Sequence, residues 1–138
     1  MRKCIHLKFL IIISNLCLYV NIILGQSSVN YKQIQPTDTF TNIWSKRITN
    51  DSLSSGFIII IKKEVKLHKH QSHSEHVFVL EGKGLMTLAD SVFKIKKGDI
   101  LFIPQNTPHR VKVISKKPLK ILSIQSPYFD GKDRIMLE

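Results

Sequence analysis

The stretch HKHQSHSEHVFVLEG, residues 68–82, holds four of the chain's six histidines within its first nine positions. His68 and His70 are two residues apart, so on a β-strand their side chains point to the same face. Glu75 follows a short polar turn and begins an apolar run that ends at Gly82. Pairing of the two strands across this turn would bring the carboxylate back beside the histidines. The stretch therefore predicts two β-strands that present candidate ligands for a divalent transition metal.

Short apolar segments separated by turn residues continue on both sides of this stretch. Examples are FIIIIK at residues 57–62, ILFI at 100–103 and LKILSI at 119–124. Such segments recur at the spacing of strands in antiparallel sandwiches and barrels, and none shows a convincing helical period. We therefore expect an all-β fold of about six to eight antiparallel strands between Phe57 and Gln125.

A further histidine, His109, lies far along the chain in the segment IPQNTPHRV, residues 103–111. It follows a loop bounded by prolines and begins another predicted strand. Two or three neutral imidazoles with one carboxylate form a divalent-metal site that leaves room for water or a substrate. Each group alone is weak evidence, because a His-x-His pair on an exposed strand is more often a solvated surface feature. The order and spacing of all the groups together are more specific.

Seven residues have the order and spacing of the two sequence motifs of the cupin superfamily. The chain therefore resembles members of that superfamily. The seven residues are His68, His70, Glu75, Gly82, Gly98, Pro104 and His109. The resemblance covers residues 56–126, and the short segment between the motifs is similar to that of small single-domain bacterial cupins. It implies a double-stranded β-helix, or jelly-roll barrel, with a divalent metal near one mouth. The ligands that it implies are His68, His70, Glu75 and His109.

Three positions depart from the usual cupin motifs. Lys62 stands where the first motif usually opens with glycine, and Asn106 stands where the second usually has glycine. Because asparagine tolerates a left-handed backbone better than most residues, we expect the turn at Asn106 to be preserved. Val113 replaces an asparagine that often ends the second motif. That position is not a ligand, so the implied metal site is unaffected.

We expect the two remaining histidines of the first stretch to take no part in metal binding. His73 falls in the polar turn, which predicts an exposed side chain; the alternative is a loose outer ligand. His76 follows Glu75, so strand alternation turns it away from the metal if Glu75 faces the metal. The predicted apolar wall around the site consists of Phe78, Met86, Phe102 and Ile124.

Residues 1–25 have the pattern of a secretory signal peptide. The segment MRKCIHLK is basic and has no acidic residue, and an apolar stretch follows it up to Gly25. We expect cleavage after Gly25 and export to the periplasm or the medium, with no stable membrane span left after cleavage. The alternative is an uncleaved N-terminal anchor. Cys4 and Cys17 both lie in this segment, so the mature chain would have no disulfide.

The rest of the chain divides into an N-terminal arm at residues 26–55, a cupin domain at 56–126 and a tail at 127–138. The arm is polar and is expected to include one short strand. Its four apolar anchors are Ile34, Phe40, Ile43 and Trp44. Because small cupins commonly exchange or pack such arms between subunits, we expect a homodimer. The alternative is that these anchors cover their own barrel.

The charge of the chain argues against some partners. Lys and Arg number 21 against ten acidic residues, which gives a net charge of +11. Nucleic-acid binding is not expected, because the lysines are scattered without interleaved aromatic residues and the chain is predicted to be exported. A small anionic ligand is compatible with the charge.

Three functional classes remain open on sequence grounds. The first is a metal-dependent enzyme that acts on a small molecule, such as a dioxygenase or an isomerase. The second is a non-catalytic module that binds a small ligand, such as a sugar or an acid. In the third class the metal only stabilises the fold. Iron, manganese, nickel, copper and zinc are all compatible with the predicted ligands.

Overall fold

The structure, a computed structural model, describes residues 28–137, and β-strands dominate this part of the chain. A short 3-10 helix at Tyr31–Gln33 precedes them. Ten strands follow: β1 (Ile43–Asn50), β2 (Ser55–Ile61), β3 (Glu64–Lys69), β4 (Ser74–Glu81), β5 (Lys83–Leu88), β6 (Ser91–Lys96), β7 (Ile100–Ile103), β8 (His109–Val113), β9 (Leu119–Ser126) and β10 (Ile135–Met136). The predicted all-β class is confirmed.

The strands form two five-stranded antiparallel sheets. Their orders are β1-β2-β9-β4-β7 and β10-β3-β8-β5-β6. Apart from the β5–β6 hairpin, successive strands from β2 to β9 lie in alternate sheets. This winding is the double-stranded β-helix, as predicted. The eight strands from β2 to β9 form the expected barrel, and β1 and β10 extend one sheet each.

The inner faces of the two sheets share one apolar core. Strand alternation sends every second side chain of β2, β4, β7 and β9 towards the facing sheet. The buried members of this core are Ile61, Val77, Val79, Met86, Ile95, Leu101, Ile103, Val111, Leu119 and Ile121. Each such side chain stabilises the fold by about 1.5–3 kcal/mol when fully buried. The core therefore holds the two sheets at a fixed separation.

Three turn residues of the motifs, Gly82, Gly98 and Asn106, have left-handed backbones. Gly82 has φ 83°, and a Cβ there would lie 2.5 Å from the Pro118 carbonyl oxygen, so the β4–β5 turn requires glycine. Asn106 has φ 59°, as expected for an asparagine in place of glycine. Its backbone N–H donates to the His70 carbonyl at 2.7 Å. That bond ties the loop before β8 to the end of β3.

The N-terminal arm is more ordered than the sequence predicts. The expected short strand is the eight-residue β1, which pairs along β2. Before it, the chain crosses the outer face of the same sheet and buries Ile34. There the buried Lys120 ammonium donates to the carbonyls of Tyr31, at 2.9 Å, and Ile34, at 2.8 Å. At least this part of the arm covers its own barrel.

The predicted signal peptide lies outside the described residues, as do both cysteines. Within residues 28–137, no helix has the length and apolar character needed to cross a membrane.

Candidate metal centre

Three histidines meet between the sheets near one end of the barrel. His68 is on β3 and His109 begins β8, and the two residues are directly paired across these neighbouring strands. His70 follows the end of β3, where the bond from Asn106 holds its backbone. Glu75 comes from β4 in the facing sheet. All four predicted ligands therefore come together, although they are up to 41 positions apart in the chain.

The distances within this group suit a single ion. One ring nitrogen of each histidine lies within 4.8 Å of the corresponding nitrogens of the others. The Oε2 atom of Glu75 is 3.9 Å from His70 Nε2 and 3.5 Å from His109 Nε2. Each of the three histidines is at most 5 % exposed. A buried group of this kind is unfavourable unless its polar atoms find a partner.

All three rings are oriented by main-chain carbonyls. The Nδ1–H of His68 donates to the Lys66 carbonyl at 2.8 Å, and that of His109 donates to the Thr107 carbonyl at 2.9 Å. His70 Nδ1 is hydrogen-bonded to the carbonyl of Asp133. When such a ring is neutral, Nδ1 carries its one proton, and Nε2 is then available as a ligand. His109 Nε2 is buried and has no hydrogen-bond partner among the described residues, which fits a metal ion at this point.

The surroundings favour neutral imidazoles and an ionised carboxylate. Burial lowers the pKa of His68 to about 3, with further lowering from nearby His109 and Arg134. Burial also lowers the pKa of His70. For Glu75 burial alone would raise the pKa, but contacts with His109 and the Ser123 hydroxyl outweigh it and lower the pKa. Neutral imidazoles and a carboxylate are the protonation states that a divalent metal requires.

Glu75 is held from its other side. The Ser123 hydroxyl on the neighbouring strand β9 donates to Glu75 Oε1. Oε2 is thereby left to face His70 and His109. A ligand carboxylate fixed by such a bond needs little reorganisation when a metal binds.

The exposed position predicted for His73 is wrong. His73 is buried, and it hydrogen-bonds to the Asp133 carboxylate through Nδ1 and to the Tyr128 carbonyl through Nε2 at 2.8 Å. Burial alone would lower its pKa, but these two bonds raise it above its ordinary value. The misassignment arises because the C-terminal segment folds over the turn, which the polar local sequence does not reveal. His76 faces outward, as predicted, and its ring packs on Phe102.

The C-terminal segment, residues 127–136, is a part of the site that the sequence did not indicate. The Asp133 carboxylate accepts hydrogen bonds from the backbone of Gln71, at 2.9 Å, and of Ser72, at 2.8 Å. The ring of Phe129 lies 5.5 Å from that of His70 and 5.1 Å from that of His73. No spacing rule connects these residues with the histidine turn, because they meet it only in the folded chain.

A cavity of about 190 Å³ adjoins the four candidate ligands. Its apolar lining comes from both sheets and includes Phe57, Ile59, Met86, Ile121 and Phe129. Its other polar lining residues are Ser45, Arg110, Gln125 and Arg134. The volume far exceeds the roughly 15 Å³ that one water requires, so a small molecule can enter.

The predicted apolar wall is correct only for Met86, which is buried and lines the cavity. Phe102 and Ile124 both flank the outward-facing His76 across the sheet, so they lie on the outer face. Phe78 lies two residues after His76 on β4 and shares that outer face. The three residues therefore belong to the surface of the barrel and not to the cavity.

The fold and the two motifs define the class of protein. The sequence matches the cupin domain family over residues 57–125. This chain belongs to the cupin family.

Individual proteins are similar to this chain in sequence or in fold. An uncharacterized protein of Methanocaldococcus jannaschii is 42% identical over 81 residues, which is 59% of this chain and 65% of that protein. The match thus spans less than two thirds of the relative's length. Among solved structures, an uncharacterized conserved protein with a double-stranded β-helix domain from Klebsiella pneumoniae has a TM-score of 0.69 at 14% identity, covering 83% of this chain and 93% of that one. KdgF from Halomonas sp. has a TM-score of 0.65 at 17% identity, covering 74% and 93% respectively.

Proposed function

We propose that this protein is a metal-binding cupin that binds or acts on a small molecule beside a divalent ion. His68, His70, Glu75 and His109 would hold the ion. The single observation that carries the proposal is the buried His109 Nε2, which faces Glu75 and has no hydrogen-bond partner among residues 28–137. A metal ion would satisfy this nitrogen and the two other histidines of the cluster together.

The four residues fit a transition metal in their chemistry. Imidazole nitrogens suit zinc, copper, iron and nickel, and one carboxylate extends the range to manganese. A bound ion with four protein ligands would supply Lewis acidity to a molecule in its remaining positions. The chain's own contribution is to favour neutral His68 and His70, to fix Glu75 through Ser123 and to provide a largely apolar cavity.

The cavity favours a function beyond structural stabilisation. A metal used only to stabilise the fold needs no space beside it, whereas about 190 Å³ adjoins these ligands. A dioxygenase, an isomerase or a non-catalytic binding module would each use such a space. All three therefore share the proposed site, and fold alone does not choose among them.

Metal analysis tests the proposal. The protein is purified without a metal-chelating tag, loaded in turn with zinc, manganese, iron(II), nickel and copper, dialysed, and analysed by plasma mass spectrometry. We expect close to one ion per chain for the preferred metal. His109→Ala should weaken binding more than about tenfold, since even outer partners of metal ligands contribute that much.

His76→Ala is the matched control, because that ring lies outside the site on the outer face. It should retain the metal content of the unaltered protein. Thermal unfolding of His109→Ala without metal separates a lost ligand from a lost fold. Equal metal loss in the two variants, or no metal in the unaltered protein, would contradict the proposal.

A further inference from the structure

We propose that the cavity takes a small carboxylic acid that carries a neighbouring hydroxyl group and a short apolar chain. Arg134 would pair with the carboxylate, and Gln125 would bond the hydroxyl. This inference rests on the proposed function, since it assigns the class of molecule that occupies the space beside the metal ligands.

Arg134 is the candidate partner for the carboxylate of the ligand. It lies in the C-terminal segment directly before β10 and lines the cavity. Its guanidinium makes no hydrogen bond or ion pair with any residue between 28 and 137, although it interacts electrostatically with His68 and Glu75. The backbone around it is fixed, because Asp133 is bonded to the turn at Gln71 and Ser72. A guanidinium that lines a cavity offers a planar pair of donors that matches a carboxylate.

Gln125 is the candidate partner for the hydroxyl group of the ligand. It lies on β9, paired directly with Glu75 on β4, so its side chain is on the same inner face as the candidate ligand. The residue is 5 % exposed, and within the described part of the chain its amide oxygen has no hydrogen-bond partner. Buried amide oxygens are almost always paired, so this one is suited to a donor on a ligand. A hydroxyl group is such a donor.

The apolar lining of the cavity further limits the class of ligand that fits. Between these polar groups the wall is formed by apolar side chains such as Phe57, Ile59 and Ile121. A sugar would place several hydroxyl groups against this wall without partners, which is unfavourable. A short aliphatic chain fits it. Of the two ligand classes that the sequence left open, the cavity therefore favours the acid.

The charge balance agrees with an anion. The one carboxylate of the metal group, Glu75, already faces two histidines and is bonded to Ser123. The divalent ion and Arg134 would both attract a negative ligand. The acid would be held at its carboxylate by Arg134 and at its hydroxyl by Gln125.

Calorimetric titration of the metal-loaded full chain tests this inference. The probes are 2-hydroxybutyrate, lactate and 2-hydroxyisovalerate, each compared with its uncharged amide. We expect at least one acid to bind about tenfold or more tightly than its amide, because the charge-assisted pair is lost in the amide. Arg134→Gln should abolish most of this preference, and Arg134→Lys should restore part of it.

Lys132→Gln is the matched control, since that side chain is 88 % exposed and lies two residues away. It should leave the preference unchanged. Gln125→Leu should reduce the advantage of 2-hydroxybutyrate over butyrate without removing the preference for acid over amide. Thermal unfolding and metal content of every variant show that fold and ion are retained.

The outcomes separate the two proposals. If the unaltered protein holds metal but binds none of the acids, or if Arg134→Gln keeps the full preference for acids, the inference is overturned and the proposed metal site stands. If no ion is bound while an Arg134-dependent preference for acids persists, the metal site fails and the anion site stands.

Discussion

At the scale of single residues, two of the metal candidates, His68 and His70, are histidines for which burial favours the uncharged form. Burial lowers the pKa of His68 to about 3 and also lowers that of His70. In the unfolded chain both would titrate near pH 6.5. Between these values the unfolded chain binds protons at these two residues that the folded protein excludes, so their contribution to stability falls as the pH falls, whereas the raised pKa of His73 acts in the opposite direction.

We therefore expect the metal-free protein to lose stability on acidification from pH 7.5 to 5.0. A histidine that stays neutral when folded contributes stability above its unfolded pKa and loses it below, by up to about 1.4 kcal/mol per pH unit. The loss from His68 should be about 1–2 kcal/mol over this range. Urea unfolding at the two pH values measures it. His68→Asn should make the pH dependence shallower, and an unchanged dependence would show that folding does not lower the pKa of His68.

The direction in which individual side chains of β4 point could be predicted in part from the sequence. The prediction that His76 faces outward follows from its position next to Glu75, and the structure agrees. The same alternation also places Phe78 outward, so its assignment to the cavity wall was an avoidable error. The burial of His73 was not readable, because its partner Asp133 lies 60 residues away and no local pattern joins them.

At the scale of secondary-structure elements, the C-terminal segment is hydrogen-bonded to the turn between β3 and β4. Asp133 receives bonds from Gln71, Ser72 and His73. Burial alone would raise the pKa of Asp133, but these bonds lower it well below its ordinary range. These bonds fix the C-terminal segment against the turn. The Asp133 carbonyl is thereby kept in place to hydrogen-bond His70.

Asp133→Asn should lower stability by about 1–2 kcal/mol, since charge-assisted hydrogen bonds are replaced by neutral ones. Chemical unfolding at neutral pH measures the change. Asp130→Asn is a suitable control, because Asp130 lies in the same segment and pairs mainly with the exposed Lys132. Equal effects of the two substitutions would mean that the bonds to the turn contribute nothing specific.

The strands themselves were predictable, and the added elements were not. The apolar segments and glycine-bounded turns of the barrel have the period and spacing of strands, so β2 to β9 followed from the sequence. β1 lies in a polar stretch and owes its length to pairing with the apolar β2. β10 has only two residues and pairs at the edge with β3, which local preference cannot indicate.

At the scale of the whole molecule, an apolar area covers part of the outer face of the first sheet. Ile100 is 66 % exposed and Phe102 is 52 % exposed on the edge strand β7. Their neighbours across the sheet include the half-buried Phe78 and the exposed His76. Contiguous apolar areas of this kind often mark sites of association.

The homodimer remains a prediction, and this outer face is a better candidate for its contact than Ile34, which is buried by its own chain. We expect light scattering of residues 26–138 at micromolar concentration to give twice the monomer mass. Phe102→Lys should shift the mass to that of a monomer. Leu53→Lys, at another exposed apolar residue, should not. A monomer mass for the unaltered protein would refute the dimer.

Export also remains a prediction, which rests on the basic start and apolar stretch of residues 1–25. Expressed in full, the protein should appear outside the cytoplasm with an intact mass that lacks these 25 residues. Replacement of Arg2 and Lys3 by Glu should slow the processing, because the basic n-region would be lost. Full-length protein found only in the cytoplasm would refute export.

The hydrogen bond between His70 and the Asp133 carbonyl can form only late in synthesis of the chain. The two partners are 63 residues apart, and a ribosome adding roughly 5–20 residues per second takes about 3–13 s to cover that distance. Until then the emerging chain has His68 and His70 without the carbonyl that orients His70, and His109 is also missing for the first part of this interval. An ion captured early would meet an incomplete and wrongly oriented set of ligands. A metal ion bound at this site would therefore be expected to enter after the barrel has folded, and not to nucleate its folding.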